Sequence, residues 1–420
     1  MLYLLIFAGY LLLSVVAVLR SRFVRASGIS PKILIAILLL KIVAGVAMGR
    51  YYEFQQNADS WGYHKDALVE YRLLATSPRE YLLNLFHSGY AHGYGGLLST
   101  HDSFWNDLKN NSMVKGVSVL HVFSGGRYYV NVVLFNTLVF FGLIALYRVF
   151  RDAFPNRDRV LLFPVFLLPS TLLFGSLIHK DGMVLALLGF VCFFFKRICE
   201  RDGKQGFNGS IVMICLLGIF FLRNYVVAVL LPALLAGYAA SVKKGSGLRW
   251  SMFFFLLLFV VFFFSRNLLP RADFLQYTAQ KQHDFMALEK GNTTLVLHRL
   301  EATPVSFIKN FPEALINGLV RPVWRDAGLS KALLPFVLEM SCCWGVLILF
   351  IFFRDRKLRW ESPLIFPLLF FAFFLCLFTG YIVPVLGAIV RYRAVYLPFL
   401  VAPLLAGINL VQLKSIFIKK

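Results

Sequence analysis

The stretch "FFFLLLFVVFFF", residues 253–264, contains no charged or hydrogen-bonding side chain. Apolar runs of this kind cross about 30 Å of hydrocarbon as helices, because an open strand or loop leaves its backbone hydrogen bonds unsatisfied in lipid. Eleven such runs lie near residues 2–19, 32–48, 128–147, 160–178, 182–197, 209–222, 224–241, 250–265, 332–353, 363–380 and 394–412. The sequence therefore predicts an all-α fold: a polytopic transmembrane helical bundle of about 11 spans, forming a single membrane domain over residues 1–420.

The composition of the chain agrees with this fold class. Hydrophobic residues make up 59% of the chain and charged residues only 15%, whereas soluble domains carry about 25% charged residues. The six cysteines fall within or beside the predicted spans, which excludes a disulfide framework and a CxxC metal site. They are Cys192, Cys199, Cys215, Cys342, Cys343 and Cys376.

The net charge of +22 follows from membrane topology and not from binding to nucleic acid. Short loops rich in Lys and Arg mark the cytoplasmic side of a membrane protein, and alternate loops of this chain carry them. These basic residues are Arg20, Arg22, Arg25, Lys32, Arg148, Arg151, Arg157, Arg159, Lys196, Arg197, Arg201, Lys204, Lys243, Lys244, Arg249, Arg354, Arg356, Lys357, Arg359, Lys414, Lys419 and Lys420. We therefore expect the N-terminus outside and the C-terminus in the cytoplasm, with no nucleic-acid partner. The first run lacks a basic start and a cleavage site before Arg20, so we expect it to remain as an anchor.

Two long polar segments, 49–127 and 266–331, interrupt the spans, and both face outward in this topology. Loops of this length are usually functional or disordered, and aromatic residues in these two argue against disorder. Residues 66–74 and 307–320 are amphipathic and predict helices lying in the membrane interface. All eight histidines of the chain also fall on the outward side. Any chemistry is therefore expected on the outer face.

The stretch "NADSWGYHKDA", residues 57–67, carries the first candidate residue. Asp59 lies just beyond the second span, where a carboxylate near the membrane surface can accept a hydroxyl proton within hydrogen-bond reach. The alternative is structural, because Asp and Ser favour the first position of a helix, and a helical pattern follows.

The stretch "FGSLIHKDGMVLALLGF", residues 174–190, places His179, Lys180 and Asp181 between two apolar runs. Ionisable residues at membrane depth are functional candidates, so we expect these three to bind or activate a charged group. The alternative is a solvated turn between two helices. Pro169, which precedes the stretch, predicts a bend in the outer half of the span.

The stretch "GAIVRYRAVYLPF", residues 387–399, places Arg391 and Arg393 on the outer side, against the charge rule that the other loops follow. Arg forks match phosphate oxygens, which predicts that at least one binds an anion; the alternative is contact with lipid headgroups. Arg321 in "LVRPVWRD" and Arg223 in "FLRNY" are weaker candidates of the same kind.

The sequence does not predict a metal site. His87, His92, His101 and Asp102 lie in "HSGYAHGYGGLLSTHD", but their spacing matches no metal motif, and "GYGG" lacks the Lys-Ser/Thr of a phosphate loop. No metal ligands are therefore assigned.

The acid beyond an early span, the large first outer loop, the "PS…SLIHKD" turn and the basic residues of "GLVRPVW" and "GAIVRYRAVYLPF" resemble the GT-C glycosyltransferases, in particular bacterial envelope members. These are polytopic enzymes that take sugars from polyprenyl-phosphate carriers. The chain departs from the family in two ways: a whole span precedes the usual first one, and the common paired acid is reduced to Asp59 followed by Ser60.

The resemblance implies an inverting glycosyltransferase in the bacterial inner membrane. Asp59 would activate the acceptor hydroxyl, while the leaving phosphate would be stabilised by some of His179, Lys180, Arg391 and Arg393. Asp181 would orient that cluster or assist a divalent cation, Mg or Mn. The implied partners are a polyprenyl-phosphate-linked sugar donor, membrane lipids and a glycan, lipid or protein acceptor.

Two other interpretations stay open, a polymerase or ligase and a transporter or flippase. A lipid-linked oligosaccharide polymerase or ligase would rely more on the Arg pair than on Asp59. A transporter or flippase of a lipid-linked glycan would place polar residues along the mid-membrane interior, where the predicted spans are nearly featureless. A structural scaffold fits the topology but does not explain the outer-face His, Lys and Arg.

Overall fold

The computed structural model describes residues 2–55, 59–84, 104–243, 245–268, 273–288, 291–356, 358, 360, 362–409 and 412. All regular secondary structure in these ranges is helical, which confirms the predicted all-α class. The α-helices are α1 Leu2–Arg20, α2 Arg22–Arg25, α3 Pro31–Glu53, α4 Asp59–Thr76, α5 Pro78–Leu83, α6 Phe104–Ser124, α7 Tyr128–Ala153, α8 Asp158–Leu162, α9 Pro169–Phe174, α10 Lys180–Cys199, α11 Gln205–Val242, α12 Gly247–Leu268, α13 Phe274–Ala287, α14 Pro304–Leu315, α15 Leu334–Phe352, α16 Ile365–Ile382 and α17 Leu386–Ala406.

Within the described ranges, nine helices are long and apolar enough to cross a membrane. They are α1, α3, α7, α10, α11, α12, Lys331–Phe352 (which includes α15), α16 and α17. The number differs from the eleven predicted runs at two places, residues 160–178 and the pair 209–222 and 224–241.

The run at 160–178 is helical but broken. It contains α8, a π-helical turn at Phe163–Leu167 and α9. Pro169 begins α9, in agreement with the predicted bend, because proline lacks the N–H that would continue the preceding helix. The Ser170 backbone N–H and hydroxyl both donate to Glu339 Oε1, each at 2.8 Å, so a buried carboxylate satisfies the start of the new helix.

The runs 209–222 and 224–241 form one helical element, α11, because a single residue joins them. Arg223 has φ −153° and ψ 82°, which is extended backbone, and the residues on both sides are helical. At about 1.5 Å per residue, the parts before and after Arg223 are each about as long as the hydrocarbon is thick.

The chain divides into two compact units. The first comprises Met1–Arg148, Thr171–Phe194 and Gly206–Val227. Here α7 and α10 pack through small residues: a Cβ on Gly142 would lie 2.4 Å from Ala186 Cα, and one on Gly189 would lie 2.0 Å from Gly142 O. Small residues allow helix backbones to approach this closely in membranes. Phe194 of α10 also contacts Phe207 near the start of α11.

Outside its candidate spans, the first unit contains a helical layer made of α4, α5 and α6. The predicted helix 66–74 lies within α4, which packs along α6. Lys115 of α6 pairs with Glu70 of α4, and Tyr81 is hydrogen-bonded to Ser118 at 2.8 Å. Residues 85–103 lie outside the described part of the chain.

The second unit comprises Val149–Ser170, Phe195–Gln205 and Ala228–Lys420. Its α14 continues into a π-helical turn, Ile316–Val320, so the predicted helix 307–320 is present as two helical pieces. Both pieces approach α16 closely. A Cβ on Gly380 of α16 would lie 2.0 Å from Ala314 O of α14, and a Cβ on Gly318 of the π-helical turn would lie 2.7 Å from Cys376 O of α16. In the same unit, Gly237 lies beside Phe195.

Candidate functional site

Four ionisable side chains of the first unit form a continuous array. Asp59 Oδ2 lies 3.1 Å from His179 Nε2, and His179 Nδ1 lies 2.9 Å from Asp181 Oδ2. The other oxygen of Asp181, Oδ1, lies 2.6 Å from Arg223 Nη2. The array thus joins residues from the start of α4, the start of α10 and the break in α11.

The array runs from the protein surface into the interior. The Asp59 side chain is 47% exposed, whereas the His179 side chain is 3% exposed and that of Asp181 is fully buried. Arg223 is 9% exposed. Asp59 is therefore the member of the array that is most accessible from outside the protein.

Asp181 contacts His179 through both its backbone and its side chain. The Asp181 N–H donates to His179 Nδ1 at 3.3 Å, and Asp181 Oδ2 lies 2.9 Å from the same nitrogen. These contacts hold the imidazole so that its other nitrogen, Nε2, faces Asp59. A buried carboxylate that orients an imidazole is the arrangement of an acid–base pair.

Local sequence explains how Asp59 enters the array. Asp59 begins α4, where a negative charge is stabilised by the positive end of the helix dipole. The helix-start alternative and the functional reading are therefore both compatible with its position. Residues 56–58, which precede it, lie outside the described residues.

The segment between α9 and α10 positions His179, and polar side chains of neighbouring spans hold it. Lys41 Nζ donates to Gly175 O at 3.2 Å and to Ser176 Oγ at 3.0 Å. Asn136 Nδ2 donates to Ser176 O at 2.8 Å. Non-helical backbone at membrane depth is stable only where protein groups satisfy it, and these two side chains do so.

Sequence reasoning did not select Lys41. Its side chain is fully buried in α3, inside the predicted run 32–48. A lone cation within an apolar run is the signal that identifies such a residue. Its partners are a backbone carbonyl and a hydroxyl more than 130 positions away, which the local pattern does not reveal.

Lys180 adds a positive charge beside the array. Its ammonium donates to Asn110 Oδ1 at 2.6 Å and lies 5.3 Å from the centre of the Tyr63 ring. The Tyr63 ring in turn lies 6.0 Å from that of His179. His179, Lys180 and Asp181 were predicted to act together, and all three belong to this cluster.

The remaining predicted arginines belong to the second unit. Arg393 is fully buried, and its Nη2 donates to Gly318 O at 3.0 Å and to Arg321 O. Arg391 is half-buried, with its guanidinium 5.4 Å from the centre of the Tyr392 ring. Arg321 Nε lies 4.0 Å from Asp326 Oδ2. In the structure Arg393 thus contacts backbone carbonyl groups through Nη2, and its role as an anion ligand stays a prediction. Convergence of this group with Asp59 stays a prediction.

Arg223 has a different partner from the one that the sequence indicated. The sequence indicated Arg223 as a weaker candidate for binding an anion. In the structure its guanidinium pairs with the buried carboxylate of Asp181. Its Nη1 also donates to Tyr225 at 2.8 Å.

Two histidines form a buried pair beneath α4. The His64 and His121 rings are 5.0 Å apart, and Asn131 is hydrogen-bonded to His121 Nδ1 at 2.8 Å. Burial lowers the pKa of His64 to about 4 and also lowers the pKa of His121. Both rings are therefore neutral at pH 7, and they support α4 without adding charge to the array.

The described residues contain no cluster of three or more metal-ligating side chains. Both Asp181 oxygens lie close to His179 or Arg223 nitrogens, and Asp59 Oδ2 lies 3.1 Å from His179 Nε2. This donor set does not fit a divalent cation held by the protein alone, although Mg²⁺ can bind through one or two carboxylates together with substrate phosphates. His87, His92, His101 and Asp102 lie outside the described residues.

Comparison of the chain with protein-family models, with curated proteins and with solved structures found no match.

Proposed function

We propose that this protein is an integral-membrane glycosyltransferase that moves a sugar from a polyprenyl-phosphate carrier to a hydroxyl acceptor on the outer face of a bacterial inner membrane. The contact between the exposed Asp59 and the buried His179–Asp181 pair carries the proposal. It provides an acid–base group that is open to a substrate on one side and fixed by the protein on the other.

In the proposed reaction, the acceptor hydroxyl oxygen attacks the anomeric carbon and gives its proton to Asp59. The bond from that carbon to the carrier phosphate oxygen breaks, and the phosphate leaves with the electron pair. Lys180 stabilises the departing charge, because fixed cations lower a barrier most where water is scarce. Attack opposite the leaving group inverts the anomeric configuration.

The array also supports the membrane topology that this function needs. Helix α7 begins on the side of the membrane where Asp59 lies and ends on the opposite side. His179, which follows α7 in the chain, nevertheless lies 3.1 Å from Asp59. Residues 154–178 therefore return across the membrane as a broken helix, which makes the run at 160–178 a crossing.

The same reasoning applies to α11. Phe207 near its beginning contacts Phe194, and Gly237 near its end lies beside Phe195. Both contacts are near the C-terminal end of α10, whereas Arg223 pairs with Asp181 at the N-terminal end of α10. We infer that the chain reverses at Arg223 and that α11 crosses twice. We therefore propose eleven crossings, with 49–127 and 266–331 outside and the C-terminus in the cytoplasm, as the charge pattern of the sequence predicts.

Replacement of Asp59 tests the proposed reaction. We expect Asp59→Asn, reconstituted in nanodiscs, to lose at least about a hundredfold in transfer from synthetic polyprenyl-phosphate sugars, since general-base groups contribute on the order of 10²–10⁴-fold. Asp66→Asn is the matched control, because Asp66 is an exposed acid in the same helix. Full activity of Asp59→Asn in an assay where wild type transfers sugar would remove Asp59 from the reaction.

The polymerase or ligase alternative differs in its second substrate. It requires an acceptor that is itself attached to a polyprenyl carrier. If the wild type elongates only carrier-linked glycans and rejects free or protein-linked acceptors, the activity is that of a polymerase or ligase.

A further inference from the structure

The second unit contains an open cavity of about 320 Å³ outside the membrane-spanning helices. Gln276, Gln280 and His283 line one wall from a single face of α13, and residues 299–302 form the opposite wall. Ligand pockets in proteins have volumes of about 300–1,000 Å³, so this cavity has the size for one small ligand.

The walls of the cavity are fixed by hydrogen bonds that leave its interior surface available. Gln282 donates to His298 O at 3.2 Å and accepts from the Leu300 N–H at 2.8 Å. His283 Nε2 lies 2.9 Å from Leu300 O. The extended segment is thereby held against α13, and a ligand does not have to order the walls when it binds.

Both hydrogen-bond donors and acceptors face the cavity. The terminal guanidinium nitrogens of Arg299, the carboxylate of Glu301 and the amide of Gln276 have no side-chain partner among the described residues. Leu300 and Ala279 also line the cavity, and both are buried. Arg299 and Glu301 do not pair with each other, so one positive and one negative group face the same space.

We propose that this cavity binds a neutral sugar residue of the glycan substrate. Glu301 repels phosphate, and Arg299 repels simple cations. Sugar hydroxyls donate and accept, and so they match a mixed lining of guanidinium, carboxylate and amide groups. The assignment rests on the proposed glycosyltransferase function, which supplies the glycan.

Binding is measured without turnover, by saturation-transfer NMR on the full-length Asp59→Asn protein in detergent micelles. The probes are the methyl glycosides of glucose, mannose, galactose, rhamnose and N-acetylglucosamine, with phosphocholine and inorganic phosphate as charged competitors. We expect saturable binding of at least one neutral glycoside, weakened about tenfold or more by Arg299→Ala, since hydrogen bonds to charged groups are strong. Ala302→Trp should abolish it by filling the cavity, and Lys309→Ala, an exposed cation outside the cavity, should leave it unchanged.

The proposal is overturned if no neutral glycoside binds, if Ala302→Trp leaves binding intact, or if phosphate or phosphocholine binds more tightly than every glycoside. Transfer assays separate this outcome from failure of the proposed function. An Asp59-dependent transferase whose acceptor KM is unaffected by Ala302→Trp retains its function and loses this sugar site. Sugar binding that is sensitive to Ala302→Trp, in a protein that does not transfer sugar, would support the cavity and contradict the enzyme.

Discussion

At the scale of single residues, the array depends on one fully buried carboxylate with two partners. Asp181 contacts both His179 and Arg223, so it orients the imidazole and neutralises a buried guanidinium. Removing one partner of a buried ion pair leaves an uncompensated charge and costs about 3–5 kcal/mol, whereas removing both partners costs much less.

A double-mutant cycle tests this pairing. We expect Asp181→Asn and Arg223→Met each to lower the free energy of unfolding in SDS titrations by about 3–5 kcal/mol. The double variant should recover part of that loss, with a coupling of about 1–3 kcal/mol. The exposed pair Arg197–Asp202 provides the control, and its removal should cost less than about 1 kcal/mol. Additive losses at Asp181 and Arg223 would mean that the two charges do not stabilise each other.

The neutral histidine His64 predicts a dependence of stability on pH. Burial lowers its pKa from 6.5 to about 4, so between these values the unfolded chain binds a proton that the folded chain excludes. The contribution of His64 to the free energy of unfolding is therefore fully present above about pH 6.5 and is lost as the pH falls towards 4.

We expect the Tm of the wild type to fall between pH 7.5 and pH 5, and the Tm of His64→Leu to fall less. His298→Leu, at an exposed position, should keep the slope of the wild type. Equal slopes for the wild type and His64→Leu would show that this ring does not exclude the proton.

At the scale of helices, the close contact between α7 and α10 depends on glycine residues, which have no side chain to separate the two backbones. Gly142 and Gly189 face each other so closely that a single methyl group has no space. This contact aligns α10, whose first turn carries Asp181.

Gly189→Ala should therefore destabilise the protein by about 1–3 kcal/mol through overpacking, measured by SDS titration. The same change at Gly9, also in an apolar helix but with no atom within 4 Å of the new methyl group, should cost nothing. Unchanged stability of Gly189→Ala would indicate that α7 and α10 separate without loss.

At the scale of the whole molecule, the eleven-crossing arrangement requires α11 to cross twice. Cysteines placed at Gln205 and Lys243 in a variant without native cysteines should then both react with a membrane-impermeant maleimide from the cytoplasmic side only. Reaction from opposite sides would mean a single tilted crossing and would contradict the reversal at Arg223.

Apolar run length predicted most of the spans, because crossing hydrocarbon requires little beyond length and hydrophobicity. Run length alone did not predict the break at 158–174, although Pro169 predicted a bend there. The stretch His179–Asp181 and Arg223 were both predicted to belong to a site, but the sequence indicated an external anion for Arg223 and did not pair it with Asp181. Lys41, which holds Gly175 and Ser176 more than 130 residues away, was not predicted. Such contacts depend on helix packing and not on local pattern.

The Asp181–Arg223 pair also has a consequence for biosynthesis. During translation Asp181 is synthesised before Arg223, and transferring an unpaired charge from water into lipid is unfavourable. The start of α10 is therefore expected to wait at the translocon until the first half of α11 has been made, so that the two helices enter the bilayer together as one hairpin. Loss of Arg223 would then lower the yield of inserted protein as well as the stability of whatever is inserted.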